Sequence, residues 1–359
     1  MDELARRTAT DRAAVFQASA AELGLPPQYV EKDFWVCWSL RRVFAPALIE
    51  GMVFKGGTSL SKVWEAISRF SEDIDLTLPR NGIPGAERIE IRDAQSVSER
   101  KKHKEQVDRA LAAWCAGPGV AAVHTRIEAA LGTTTGWTLR SVGDSMEFEY
   151  PKGLPSVGHG GVYIRPIVQL EFGATMPTEP AEDHVIRPYA ARAGEYRMGS
   201  PDVSVHVLAA ERTFWEKATL VHAENNRPEP KTGARMSRHY ADVASLTGHE
   251  IGARALAQIQ LLPQVAREKE RYFYTAWARY PDAAQGRLQL VPPPEHEPVL
   301  RRDYDQMKEM YHGGPLPFDT ILERLAELQA TVAGDPYFRQ RWGVEETVPR
   351  LTRRDDAPA

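Results

Sequence analysis

Apolar residues recur along this chain with two different periods, and the switches between them mark its elements. Asp11 to Leu23 carries Ala, Val and Phe at helical spacing and stops at Gly24-Leu25-Pro26-Pro27. Gln28 to Phe44 reads as a second helix, with Val30, Phe34, Cys37, Trp38, Leu40 and Val43 in one stripe. Met52 to Lys55 is a first core strand that runs into Gly56-Gly57. A short helix follows, with Leu60, Val63, Trp64 and Ile67 on one side. Asp73-Ile74-Asp75-Leu76-Thr77-Leu78 then alternates polar and aliphatic residues, the period of a half-buried strand.

Further along, Glu87 to Ala116 is strongly charged and reads as a long helix with Val107, Leu111 and Trp114 as its apolar edge. Strand patterns appear at Val120 to Ile127, at Ser145 to Pro151 and at Val162 to Phe172. From Val203 the pattern turns helical: Leu208 to His222, Ser237 to Leu246, Arg254 to Arg267, Tyr304 to His312 and Phe318 to Val332. Glu224 to Met236 is a polar loop carrying Arg227, Lys231 and Arg235, able to grip a nucleotide or an acceptor, and Pro292 to Pro298 is a linker. Tyr272 to Tyr280 is aromatic; such a run could stack nucleobases, although packing is its commoner use. The pattern predicts an α+β protein. Residues 1–200 would form a mixed sheet flanked by helices, with N-terminal helices and a charged helical insert near 84–116. Residues 201–348 would form a helical C-terminal lobe, and 349–359 a disordered tail.

Composition narrows the class only a little. The 359 residues are 42% hydrophobic and 26% charged, as in ordinary soluble domains. The formal net charge of −4 excludes an overall basic field, so any nucleic-acid partner must be held by a local patch. The densest one is Arg100, Lys101, Lys102 and Lys104, whose ordinary reading is a solvated helix face and whose functional one is phosphate contact. Two cysteines without Cys/His spacing argue against zinc and for buried thiols in a reducing compartment. The N-terminus lacks the apolar core of a signal peptide and no apolar run approaches a membrane span, so a cytoplasmic location is expected.

The chemistry concentrates in residues 54–78. Alternation puts Asp73 and Asp75 on one strand face, about 6.5–7 Å apart. Carboxylates so placed can share a hard cation such as Mg²⁺. Gly56 and Gly57 let backbone N–H groups approach a phosphate, and Thr58 and Ser59 can start a helix there. Either feature alone is commonplace. Joined in this order, they suit phosphoryl or nucleotidyl transfer, in which positioning and charge neutralisation do most of the catalysis.

The run Gly56-Gly57-Thr58-Ser59-Leu60, followed by Arg69-Phe70-Ser71-Glu72-Asp73-Ile74-Asp75-Leu76, resembles the AbiEii/AbiGii family of nucleotidyltransferase toxins, within the polymerase-β-like nucleotidyltransferase superfamily. The resemblance extends over roughly residues 30–80 and 160–250. It implies that a nucleoside monophosphate is transferred from an NTP to an acceptor, with the 3′ end of tRNA as the best candidate. Asp73 and Asp75 would hold Mg²⁺ or Mn²⁺, with Glu171 on a neighbouring strand as third ligand and Glu147 and Glu149 as weaker rivals. Lys55, Gly56, Gly57, Thr58, Ser59, Ser71 and Arg238 would meet the nucleotide.

The resemblance assigns Lys217, in ERTFWEKA, to the nucleotide phosphates, and Asp242, in the RHxxD helix start, to a catalytic role. The plainer readings are an ion pair for Lys217 and an i, i+4 bridge from Arg238 to Asp242. Lys32, in Glu31-Lys32-Asp33, is either a wall of the site or part of a solvated first turn. A cognate antitoxin is implied as partner. The competing functions are nucleotidylation of a protein or small molecule, and an inactive relative that binds NTP or RNA. Ser71 stands beside the carboxylates, where a phosphoryl group would add roughly −1.5 to −2 charges. A Ser71→Glu variant is therefore expected to lose toxicity when expressed in cells; full toxicity would reject this idea.

Overall fold

A computed structural model describes residues 1–71, 73–93, 95–155, 165–192, 199–230, 235–311 and 314–342. Its centre is a mixed seven-stranded sheet: β1 (Val53–Lys55), β2 (Asp73–Thr77), β3 (Thr138–Val142), β4 (Ser145–Glu149), β5 (Ile167–Gly173), β6 (Ala181–Ile186) and β7 (Val203–Leu208). The spatial order is β3-β4-β5-β2-β1-β7-β6. β2 lies between antiparallel β1 and parallel β5, so the Asp-x-Asp strand occupies the middle of the sheet. Ile74 and Leu76 point into the core, while Asp73 and Asp75 remain half-buried on the other face.

Two apolar clusters hold the chain together. One packs the Pro27–Phe44 helix on the sheet, with Trp38 stacked on Phe148 (ring centroids 5.7 Å apart) and Ile74, Leu76 and Leu170 beneath. The other is helical, built around Phe214, Trp215, Tyr240, Leu262 and Leu325, and it recruits Leu60, Ala66 and Ile67 from the first half of the chain. Burial pushes the thiols of Cys37 and Cys115 up to about 12, so neither is poised to react. Among the described residues no helix is long and apolar enough to cross a membrane.

Several elements depart from the expected pattern, among them Val203–Leu208, which is strand β7 of the sheet where the helical lobe is expected to begin. Val120–Ile127 is not a strand: Val120–Leu131 is a helix whose buried Val123, Ile127, Ala130 and Leu131 follow the helical period. Its alanines favour that state, and the apparent alternation was a chance subset of the longer period. The strand in this region is β3, whose two apolar residues, Leu139 and Val142, are spaced three apart and give no period-2 alternation to detect. The β5 strand starts at Ile167, after Pro166, which has no N–H to give to a ladder; residues 162–164 lie outside the described residues, as does the 349–359 tail.

The charged helix begins at Val97, because Ser96 and Glu99 form a reciprocal capping box there. The helix after Gly56-Gly57 is only Gly56–Lys62, and Glu65, at φ 49°, turns the chain so that Ala66 and Ile67 reach the helical cluster. The expected Arg254–Arg267 helix is two, Glu250–Ala257 and Leu261–Tyr272. The helix expected at Tyr304–His312 is instead Glu297–Met307, with Pro298 preset for its first turn.

The Glu31-Lys32-Asp33 cluster is not a solvated first turn; all three side chains are buried. Lys32 Nζ donates to the carbonyls of Arg165 (3.1 Å) and Ile167, at the start of β5. Glu31 accepts from the backbone N–H of Gly153 at 2.5 Å, and Asp33 pairs with Lys62 Nζ at 2.7 Å. Asp33 Oδ2 also accepts from the Tyr189 N–H at 2.5 Å, so one helix turn fastens four separate segments. Breaking a buried pair by removing one charge costs about 3–5 kcal/mol, whereas replacing both by apolar groups is often close to neutral. Asp33→Ala is thus expected to lower unfolding free energy by about 3–5 kcal/mol, and Asp33→Leu with Lys62→Met to recover most of it. Chemical denaturation measures both, and a single variant no worse than the double one would contradict the pairing.

Candidate active site

Neighbouring strands gather the carboxylates. In register, Asp75 of β2 lies beside Glu171 of β5 on one side and Lys55 of β1 on the other. Burial raises the carboxyl of Asp75; Glu171 is pushed up to about 7, first by burial and then by the charges of Asp75 and Asp73. Glu147 and Glu149 do not join them. Glu147 is paired with Arg140, and Glu149 accepts from the Thr138 hydroxyl at 3.3 Å.

The two glycines fit this geometry closely. Gly56 has φ 79°, and a β-carbon built there would lie 1.9 Å from Asp75 Oδ2. A β-carbon at Gly57 would meet the Arg69 guanidinium at 2.5 Å and Ser71 Oγ at 3.0 Å. The hydroxyls that follow are used internally. Thr58 donates to the Asp73 carbonyl and lies 2.9 Å from Ser71 Oγ, while Ser59 donates to the Gly56 carbonyl at 3.0 Å. Both side chains are fully buried, so they fix the turn and do not face the cleft.

That cleft, of about 500 Å³, is lined by Lys55, Gly56, Gly57, Ser71, Asp73, Asp75 and Glu171 on the sheet side. Helices contribute Lys217, Arg238 and the aromatic 273–280 segment. Asp242 sits behind this wall, fully buried. It accepts two hydrogen bonds from Arg69, at 2.7 and 2.8 Å, and pairs with Lys217 Nζ at 2.9 Å. Burial alone would raise its carboxyl, but Arg69 and Lys217 outweigh that and hold it well below the carboxylate range. The acidic residue of the RHxxD start is therefore an anchor for two cations, and its partners are not Arg238. Arg238 lines the cleft, and its Nε has no hydrogen-bond partner among the described residues. The adjacent His239 imidazole is kept neutral by burial and by Lys217 and Arg238.

Sequence reasoning missed Glu216 and Lys269. Lys55 Nζ lies 3.5 Å from Glu216, whose carbonyl accepts from Lys269 Nζ at 2.5 Å. Burial, only partly offset by Glu216, brings the Lys269 amine down to about 7. In the sequence Lys269 is one charge in the run AREKERY, and no local pattern sets it apart. Lys32 lies away from the cleft. Lys231 is outside the described residues, and Arg227 and Arg235 do not line the cleft. In the basic helix, Arg100 donates to the Glu270 carbonyl (3.4 Å) and Lys104 pairs with Asp108 (2.6 Å), leaving Lys101 and Lys102 exposed. Among the described residues, no three His, Cys, Asp or Glu side chains are already drawn together to hold a metal ion.

A central strand presenting paired carboxylates, beside a Gly-Gly turn and across a cleft from fixed cations, is the layout of a nucleotidyltransferase. The family model described as nucleotidyl transferase AbiEii toxin, Type IV TA system, matches residues 38–324, and the chain belongs to this family of toxin nucleotidyltransferases. Among solved structures it is similar to MenT4, a nucleotidyltransferase toxin from Mycobacterium tuberculosis H37Rv. That likeness has 16% identity, 92% coverage of each chain and a TM-score of 0.48. A search of curated proteins finds no match.

Gly56→Ala is expected to displace either the Asp75 carboxylate or the turn, and a shift of about 1 Å at a reacting centre costs on the order of a hundredfold. Transfer rates of the folded variant test this. A wild-type rate would show that the close approach has no bearing on the reaction.

Proposed function

We propose that the protein transfers a nucleoside monophosphate from an NTP to the 3′ end of tRNA in the cytoplasm, releasing pyrophosphate. The observation that carries this reading is the apposition, in one cleft, of the Asp73/Asp75/Glu171 carboxylates and the cations Lys217 and Arg238. The donor set fits a hard divalent cation: three carboxylates stand on adjacent strands, and Glu171 is pushed up first by burial and then by Asp75 and Asp73, which Arg238 only partly offsets. Asp73, Asp75 and Glu171 would hold Mg²⁺ or Mn²⁺, which when bound neutralises phosphate charge and polarises the phosphorus centre.

The chain's own residues do the rest. Gly56 and Gly57 allow the triphosphate close to the backbone. Lys217, fixed by Asp242, and Arg238, which lines the same cleft, offset the charge that develops on the departing pyrophosphate. Lys55 flanks Asp75 from β1. One of the three carboxylates takes the proton of the acceptor hydroxyl. Family membership supports an NTP substrate and an antitoxin partner. The tRNA acceptor rests on the resemblance, and the exposed Lys101 and Lys102 supply positive charge for a phosphate backbone.

The test uses each NTP labelled at its α-phosphate, with total tRNA and total protein offered as separate acceptors. Label is expected in tRNA, to disappear with EDTA, and to fall about a thousandfold in Asp75→Asn, the scale of several kcal/mol of charge stabilisation. Label entering only the protein fraction, or transfer unaffected by EDTA, would overturn the proposal.

A further inference from the structure

The carboxylates and cations account for the phosphates, but part of the cleft wall is aromatic. Phe273, Trp277 and Tyr280 line it, next to Leu220 of the Ala210–Asn225 helix. Tyr280 is buried with Ala223 and Ala278 in a small apolar cluster against which the half-buried Trp277 packs. The Arg227 guanidinium stands 4.0 Å from the centroid of the Trp277 ring. Arg227 is itself fixed by two hydrogen bonds to the buried Glu224, at 2.7 and 2.8 Å. Phe273 is 42% exposed at the same cleft, with Lys104 Nζ 5.4 Å from its ring.

This arrangement differs from a packed aromatic core. Trp277 is fastened by a carboxylate-anchored cation and an apolar floor, yet it reaches a cleft whose other side carries the carboxylates and cations. A ligand that satisfies both parts needs a planar face of low polarity joined to several negative charges. A nucleotide has that composition, and an indole is a good stacking partner for any base, since every base offers a π-face.

We propose that Trp277, held by the Glu224–Arg227 pair, is a nucleobase-stacking platform of this cleft, with Arg227 as its positioning residue. The inference rests on the nucleotidyl-transfer reading and adds to it where a base lies. Stacking of this kind is tolerant of base identity, so the contact is expected to help all four bases similarly. The base can belong to the NTP or to the terminal nucleotide of the acceptor, and the chemistry at Trp277 is the same.

Calorimetric titration of wild type, Trp277→Ala and Trp277→Phe with the four NTPs and with inorganic tripolyphosphate separates base from phosphate binding. A Michaelis constant for total tRNA covers the second source. If the base is that of the NTP, Trp277→Ala weakens NTP binding about ten- to a hundredfold, leaves tripolyphosphate unchanged, and Trp277→Phe recovers most of the loss. If the base is that of the acceptor, the Michaelis constant for tRNA rises by a similar factor while NTP affinity holds. Arg227→Met should reproduce a milder form of either result. Equal weakening of NTP and tripolyphosphate, or no change in either arm while tRNA is still labelled, would overturn the platform and leave nucleotidyl transfer standing. A wild-type protein that binds no NTP and labels no fraction would overturn both.

Discussion

A single buried carboxylate ties this molecule together. Asp242 is fully enclosed and meets two cations from distant parts of the chain, Arg69 from the segment before β2 and Lys217 from the Ala210–Asn225 helix. In a low-dielectric interior such a charge is tolerable only when paired and hydrogen-bonded, so the three residues constrain one another strongly. Their mutual placement fixes much of the cleft. The Arg69 guanidinium, held by Asp242, occupies the space that a side chain at residue 57 would need, which is why a glycine stands there. Lys217, held by the same carboxylate, is kept at the wall of the cleft that Asp73, Asp75 and Glu171 also line.

A second set of buried charges does the same for the sheet. Lys32 binds the carbonyl of Ile167, and β5 then runs directly to Glu171 beside Asp75. Asp33 holds Lys62, the last residue of the helix that follows Gly56-Gly57. These residues lie away from the cleft, yet they position both of its sheet-side components. Buried ion pairs add little net stability compared with well-packed apolar groups, but their directionality fixes register, and register is what a multi-carboxylate site depends on. The cleft thus combines carboxylates set by strand pairing, cations set by Asp242 and an aromatic wall in which Arg227 stands over Trp277.

Much of this was legible in the residues. The alternation at Asp73–Leu78 determined which face carries the two carboxylates, because successive strand side chains point to opposite sides. The Gly-Gly turn, the Lys217 and Ser237–Thr247 helices and the overall α+β class followed from period and punctuation. Errors fell where a short window fits both periods, as at Val120–Ile127, or where a strand such as β3 offers no apolar alternation. Burial of Glu31, Lys32 and Asp33 was hidden for another reason: a charged cluster in a first turn is ordinarily solvated, and only partners distant in the sequence make its burial tolerable.

The sequence by itself determined the chemistry on offer, namely paired carboxylates, flexible glycines and a cation on an apolar helix. These are properties of residue type and local spacing. Tertiary structure decided how they combine. It put Glu171 beside Asp75 by parallel pairing of two distant strands, and it turned Asp242 from a lone acidic residue into the anchor of Arg69 and Lys217. It also brought the aromatic 273–280 run, indistinguishable in sequence from core, to the wall of the same cleft. Desolvation and long-range pairing set these roles, and neither has a local signature in the order of residues.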